Sequence, residues 1–247
     1  MPPFTAREPG LSPADGYEAA RALHAHRVAA GWKPIGRKIG FTNRTIWPRY
    51  GVYEPIWGTV YDRTLVGSEG DSASVSLAGL VQPRIEPEIC FGLKRAPASS
   101  SPADLLDAID WIAHSVEIVQ CHYPDWKVKL ADCCASNGLH GKLVVGSRFP
   151  LAPLPDLEAS LPRLELVLKK EGREVDRGVG SNVLDSPLLA FGYFVDVLRR
   201  QPGARALEAG EIVTTGTITD AHPVAAGETW RTEIRGLSLP GLQIRFE

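Results

Sequence analysis

Two glutamates, one residue apart, interrupt an apolar run in RIEPEICF, Arg84 to Phe91. In a strand, side chains alternate between the two faces. Ile85, Ile89 and Phe91 then share one face, and Glu86, Glu88 and Cys90 share the other. Glu117 breaks a second apolar run, SVEIVQC, in the same way. Three inward carboxylates on two strands make an oxygen-rich set suited to a hard divalent cation, Mg2+ or Mn2+, with water or substrate completing an octahedron. Zn2+ fits less well, because no His or Cys spacing supports it. E-x-E in a strand is also the usual pattern of a solvated face, so the residues alone leave both readings open.

A cation stands in a comparable setting. IGRKIGFT places Lys38 between Ile35 and Ile39, just before Gly40. Such a lysine often snorkels to the surface along an apolar strand. Beside a metal-bound substrate it can instead serve as general acid and base, its pKa lowered by burial and by the cation.

The surrounding pattern must position these groups. SPADGYEAARALHAHRVAAGW predicts a helix, with Ser12 as N-cap, Pro13 at the first position, Asp15 closing a capping box and Gly31 as the stop. SPAD recurs at 101–104 and opens a second helix through LLDAIDWIAH; residues 186–203 predict a third, ending in basic residues and Gly203. Strands are expected at 35–42, 57–66, 84–93, 115–121, 163–170, 211–218, 229–235 and 242–247, with a turn at Glu171–Gly172. Helices early and midway, with many strands from Arg84 onward, predict an α+β fold in which a β-rich roll or sandwich carries the site. The expected organisation is an N-terminal α/β part carrying Lys38, residues 1–80, and a β-rich catalytic part carrying the glutamates, residues 81–247, together forming one compact unit.

Composition narrows the function class. The chain has 247 residues, a formal net charge of -2, 44% hydrophobic and 23% charged residues, which is ordinary globular composition. This balance gives no footprint for nucleic acid, and no apolar run is long enough to span a bilayer. MPPFTAREPG lacks the regions of a signal peptide. Cys90, Cys121, Cys133 and Cys134 form no C-x-x-C pair and are expected to be reduced thiols in a cytoplasm, with Cys133 and Cys134 filling core space.

Taken in order, IGRKIGFT, PRIEPEICFGL, AIDWIAHSVEIV, DWKVKLADCCASN and LEAGEIVTTGTITDAHPVAAGETW resemble the 2-keto-4-pentenoate hydratase family. That family includes the 2-oxo-3-hexenedioate (4-oxalocrotonate) decarboxylases and lies within the fumarylacetoacetate hydrolase superfamily. The resemblance runs from about Gly16 to the end. It implies a mixed β-roll of the fumarylacetoacetate hydrolase C-terminal type with a small helical N-terminal part. It also implies metal carboxylates at Glu86, Glu88 and Glu117, the acid/base lysine at Lys38, and substrate contacts at Asn137, Leu139, His140, Lys127 and Thr217. The implied activity is Mg2+- (or Mn2+-) dependent lyase chemistry in aromatic meta-cleavage catabolism. Hydration of a 2-hydroxy-2,4-dienoate is the first expectation and decarboxylation of a 2-oxo-3-enedioate the alternative. Both pass through an enolate that the cation stabilises. The hydrolase branch uses an extra His–Glu pair to activate water; no equivalent is legible here, which disfavours C–C hydrolysis. A noncatalytic partner subunit would have no need of the metal set. The implied partners are a small 2-oxo acid, further copies of the chain in a homo-oligomer, and another enzyme of the same pathway.

Three segments depart from the pattern. FTNRTIW replaces a run like LTSxAMQ, Gln120-Cys121-His122 replaces DSR, and SNGLHG replaces DNASSG. Leu139 and His140, in place of small hydroxyl residues, are therefore expected to set substrate choice, while Arg44 and Arg49 are candidates to meet a distal carboxylate.

Overall fold

The structure is a computed structural model that describes residues 1–152, 154 and 156–247, without the side chains of Ile46, Arg49 and Tyr50. Its strands are β1 (Pro34–Gly40), β2 (Ile56–Tyr61), β3 (Leu65–Val66), β4 (Ser72–Val75), β5 (Arg84–Leu93), β6 (Ile109–Val119), β7 (His140–Val145), β8 (Phe149–Pro150), β9 (Glu165–Lys170), β10 (Arg173–Val179), β11 (Ile212–Thr214), β12 (His222–Pro223), β13 (Thr229–Arg235) and β14 (Gln243–Phe246). The helices are α1 (Phe4–Arg7), α2 (Pro13–Ala29), α3 (Trp47–Tyr50), α4 (Pro102–Ala108), α5 (Leu130–Ala135), α6 (Leu157–Ser160) and α7 (Pro187–Arg200).

The strands form two sheets. The larger has the order β2-β1-β11-β5-β6-β7-β3, with β12 beside β5 and β8 beside β6; the smaller has the order β10-β9-β13-β14-β4. This is the mixed α+β architecture expected from the sequence. The first 80 residues supply strands to both sheets: β1 lies parallel to β11, and β4 lies parallel to β14.

Local chemistry explains the main elements. Ser12 accepts a hydrogen bond from the Asp15 amide while the Asp15 carboxylate accepts one from the Ser12 amide, closing the capping box of α2. The turn between β9 and β10 is the two-residue Glu171–Gly172, with φ of 48° and 76°; successive positive φ values match the twist of a hairpin. The second predicted helix ends sooner than its pattern suggests. α4 stops at Ala108, and Ile109 begins β6, which pairs with β5 along nearly its whole length. The bonds to β5, together with burial of Ile109, Ile112 and Ala113, override the helical reading of IDWIAH.

The alternation expected for RIEPEICF positions the site. Ile85, Ile89 and Phe91 enter the main core with Ile112, Val116 and Ile118 of β6, Phe191 of α7 and Leu168 of β9. The opposite face, carrying Glu86, Glu88 and Glu117, is roofed by α5 and the 137–139 segment, and α2 packs on α5. Gly16 permits that packing, since a Cβ there would lie 2.4 Å from the Ala131 carbonyl oxygen. Replacing the cap, Ser12→Ala, is expected to lower stability by about 1 kcal/mol, seen as a lower urea midpoint with an unchanged slope.

Candidate metal and proton-transfer site

Register alone brings the carboxylates together. Glu86 of β5 sits directly opposite Glu117 of β6, and Glu88 follows Glu86 on the same face. One oxygen from each of the three lies within 4.8 Å of the others. Glu88 and Glu117 are fully buried, and Glu86 is half-buried at the edge of a cavity of about 390 Å³. Like charges placed directly opposite destabilise a strand pair, so the arrangement requires compensation.

Lys38 supplies part of it. Its ammonium lies 3.2 Å from Glu117 Oε2 and donates a hydrogen bond of 2.9 Å to the Gly138 carbonyl. β1 makes room on that face, where Gly36 and Gly40 flank the lysine. The 137–139 segment reaches the sheet because Gly58 has no side chain; a Cβ there would lie 2.1 Å from the Asn137 carbonyl oxygen. Asn137 fixes the segment by pairing with both backbone groups of Thr59, at 2.8 and 2.9 Å. Three successive left-handed residues, Asn137, Gly138 and Leu139, aim the Gly138 carbonyl at Lys38. A left-handed leucine is a strained conformation of the kind that gathers at functional sites.

The remaining carboxylate oxygens are held selectively. His140 Nδ1 lies 2.7 Å from Glu117 Oε1, and His140 Nε2 lies 2.8 Å from Thr64 Oγ1. The Gly216 amide donates to Glu88 Oε2 at 2.9 Å. Gly216 has φ of 95°, and a Cβ there would overlap Thr42, so glycine is required. Among the described residues Glu88 Oε1 is buried without a hydrogen-bond partner, and Glu117 Oε2 meets only the Lys38 ammonium. An orphaned buried carboxylate oxygen clustered with oxygens of two further carboxylates is the donor set a hard cation satisfies. The residues therefore fit Mg2+ or Mn2+.

Electrostatics in the metal-free chain point the same way. Burial, then repulsion from Glu117 and Glu86, pushes the Glu88 carboxyl well above its ordinary value. Burial raises Glu86 to about 7, with repulsion from Glu117 adding to the rise and Lys38 and Arg84 offsetting part of it. For Glu117, burial is outweighed by Lys38 and His140, which hold the carboxyl below its ordinary value. Burial alone would lower the Lys38 pKa, as the sequence reading expects. The charges of Glu117, Glu86 and Glu88 outweigh it and keep the ammonium above its ordinary value.

The other expected contacts divide. Lys38, Glu86, Leu139 and Thr217 line the cavity. Asn137 is committed to Thr59, and His140 stands behind Glu117, away from the cavity lining. Lys127 is exposed and pairs with Asp125 at 3.3 Å. Arg44 pairs with Asp185 on the surface, and the Arg49 side chain lies outside the described residues. All four cysteines are free and buried, and Cys133 also contributes to the cavity wall. The His140 and Gly216 contacts were not legible, because each spans more than twenty residues and depends on strand register.

Three outcomes follow from this geometry. His140→Asn is expected to weaken Mg2+ binding about 10- to 100-fold, the usual scale for a group that orients a ligand, with calorimetry as the readout. Below about pH 7 the metal-free Glu86 holds a proton that a cation must displace. Mg2+ binding should therefore release protons at pH 6 and fewer at pH 8, measured by calorimetry in buffers of different ionisation enthalpy. The unfolded chain gives up this proton near 4.5, before the folded chain does. The Glu86 contribution accordingly makes the metal-free protein less stable as pH rises from about 4.5 to about 7.

No family model matches the chain. Against known proteins it is 30% identical over 247 residues to a 2-hydroxyhexa-2,4-dienoate hydratase of Comamonas testosteroni, covering 98% of this chain and 90% of that protein. It is 34% identical over 221 residues to a 4-oxalocrotonate decarboxylase of a Pseudomonas species, covering 89% of this chain and 82% of that protein. Among solved structures, 4-oxalocrotonate decarboxylase from Pseudomonas putida G7, complexed with magnesium and adipate, superposes with a TM-score of 0.89 at 28% identity, covering all of this chain and 90% of that one. The identity, held over nearly the full length of these relatives, and the shared fold place the chain in the 2-keto-4-pentenoate hydratase and 4-oxalocrotonate decarboxylase family of the fumarylacetoacetate hydrolase superfamily.

Proposed function

We propose that the chain is a Mg2+- (or Mn2+-) dependent lyase that hydrates a short 2-hydroxy-2,4-dienoic acid to a 4-hydroxy-2-oxo acid. The observation that carries this reading is the Lys38 ammonium, 3.2 Å from Glu117 and within the cavity that reaches the clustered carboxylates. Glu86, Glu88 and Glu117 would hold the cation, which when bound supplies Lewis-acid stabilisation of negative charge developing on a 2-oxo acid.

The chain's own groups do the rest. Lys38, buried and oriented by the Gly138 carbonyl, holds a proton at the edge of the cavity, where the carbon chain of the substrate would lie. In ketonisation the C2 hydroxyl gives up its proton and C5 gains one, leaving a 2-oxo-3-enoate. Water then adds across the double bond, hydroxyl to C4 and hydrogen to C3. Lys38 is placed to carry one of these protons. Leu139 and Thr217 face the same space and shape it. His140 supports Glu117 rather than the substrate in this reading.

Decarboxylation of a 2-oxo-3-enedioate is the second reading, favoured by the close superposition on the solved decarboxylase. There the bond to the distal carboxylate breaks, its electrons enter the conjugated chain and CO2 leaves. The four buried free thiols support a reducing compartment, the cytoplasm. No helix among the described residues is long and apolar enough to cross a membrane. We read residues 1–80 and 81–247 as two parts of one unit, working as a homo-oligomer, with another enzyme of the pathway as a further partner.

Ultraviolet loss of a dienol and CO2 release from an enedioate, followed together with and without Mg2+, test the assignment. Metal-dependent dienol loss without CO2 supports hydration, and turnover indifferent to metal contradicts both readings. Lys38→Met should fold, keep Mg2+ affinity within a few-fold and lose about two to four orders of magnitude in kcat; near-normal kcat would remove Lys38 from the mechanism. Oxalate, a planar chelating mimic of the enolate, should inhibit competitively only when metal is present.

A further inference from the structure

The cavity wall carries a second cation, Arg84, whose charge offsets part of the rise at Glu86. Arg84 lines the cavity two residues before Glu86 on the same face of β5, about 6.6 Å along the strand by ordinary strand rise. Its guanidinium lies over the Trp126 ring, 4.3 Å from the centroid. Among the described residues it makes no side-chain hydrogen bond and no ion pair, whereas Lys38, the other cation of the lining, is bound to Glu117 and Gly138.

The stack is built at a cost. Trp126 and Asp125 have φ of 57° and 56°, and Gln82 has φ of 49°, all left-handed and none glycine. Gln82 ties the two segments together: its side chain accepts from the Asp125 amide, and its carbonyl accepts from Trp126 Nε1. Strain of this kind persists where the surroundings enforce it and gathers around ligand clamps. Stacking on the indole fixes the plane of the guanidinium and leaves its edge, with its fork of N–H donors, free.

We propose that Arg84, held on Trp126, receives a second carboxylate at the far end of the substrate, so that the preferred substrate is a dicarboxylic 2-oxo or 2-hydroxy-dienoic acid. The inference rests on the lyase reading, because the near end is the 2-oxo acid that the glutamate cluster would engage through its cation. The Arg edge matches a carboxylate bidentately, and its place one strand repeat beyond Glu86 sets the tail a short carbon chain away. Asp220, the other acid of the lining besides Glu86, is exposed in the loop that leads into β12, the strand paired with the Arg84 end of β5.

Calorimetry with two unreactive probes, 2-oxoadipate and 2-oxohexanoate, on the Mg2+-loaded protein tests this. The wild type should bind the diacid about 10- to 100-fold more tightly, the usual scale for a charge-assisted pair. Arg84→Gln should lose that margin while binding 2-oxohexanoate within about two-fold of wild type. Arg84→Lys, which keeps charge but not the planar fork, should retain part of it. Equal binding of the two probes by the wild type overturns the proposal and leaves the lyase reading standing, as does a diacid preference that survives in Arg84→Gln. Failure of both probes to bind in a metal-dependent way overturns the lyase reading itself. Should Arg84→Gln not fold, the wild-type preference and Arg84→Lys still decide.

Discussion

Mutual repulsion among three glutamates on one face of a strand pair is the constraint around which the rest of the site is arranged. Glu86 faces Glu117 in direct register, and Glu88 follows on the same strand. Burial of Glu88 and Glu117 removes the water that would screen them. Lys38, His140 and the Gly216 amide each neutralise or bind part of the cluster. Among the described residues Glu88 Oε1 still has no partner, and a divalent cation would complete the balance.

Satisfying that constraint dictates backbone choices far away in sequence. Gly58 must be glycine so that the 137–139 segment can approach β2, and that approach carries the Gly138 carbonyl to Lys38. Gly216 must be glycine so that the chain can turn its amide toward Glu88 against Thr42. Left-handed Leu139 and Trp126 add strain where the cavity wall is formed, consistent with a site held in shape before substrate arrives. Pre-orientation of this kind lets electrostatic stabilisation act without reorganisation.

Much of this was legible in the sequence because it is local. Period-two alternation put Glu86 and Glu88 on the face opposite Ile85 and Ile89, and the Ser12–Asp15 spacing gave the capping box. The helix expected through IDWIAH failed because pairing with β5 is a long-range gain that helical pattern cannot anticipate. His140 shows the same limit. Its type suggested a polar contact, but the residue enters β7 on the side that meets Glu117 and Thr64, not the cavity. Arg84 stands within the very motif that carried the glutamates, yet its pairing with Trp126 depends on a turn with unusual backbone angles.

Under the proposed function the three carboxylates are one cation site with Lys38 beside it, not an ion-pair network. An anomalous difference map from crystals soaked in Mn2+ tests this most directly. One strong peak bounded by Glu86, Glu88 and Glu117 is expected, with Lys38 outside the coordination sphere. The absence of a peak there at saturating Mn2+, or one centred on other residues, would contradict it.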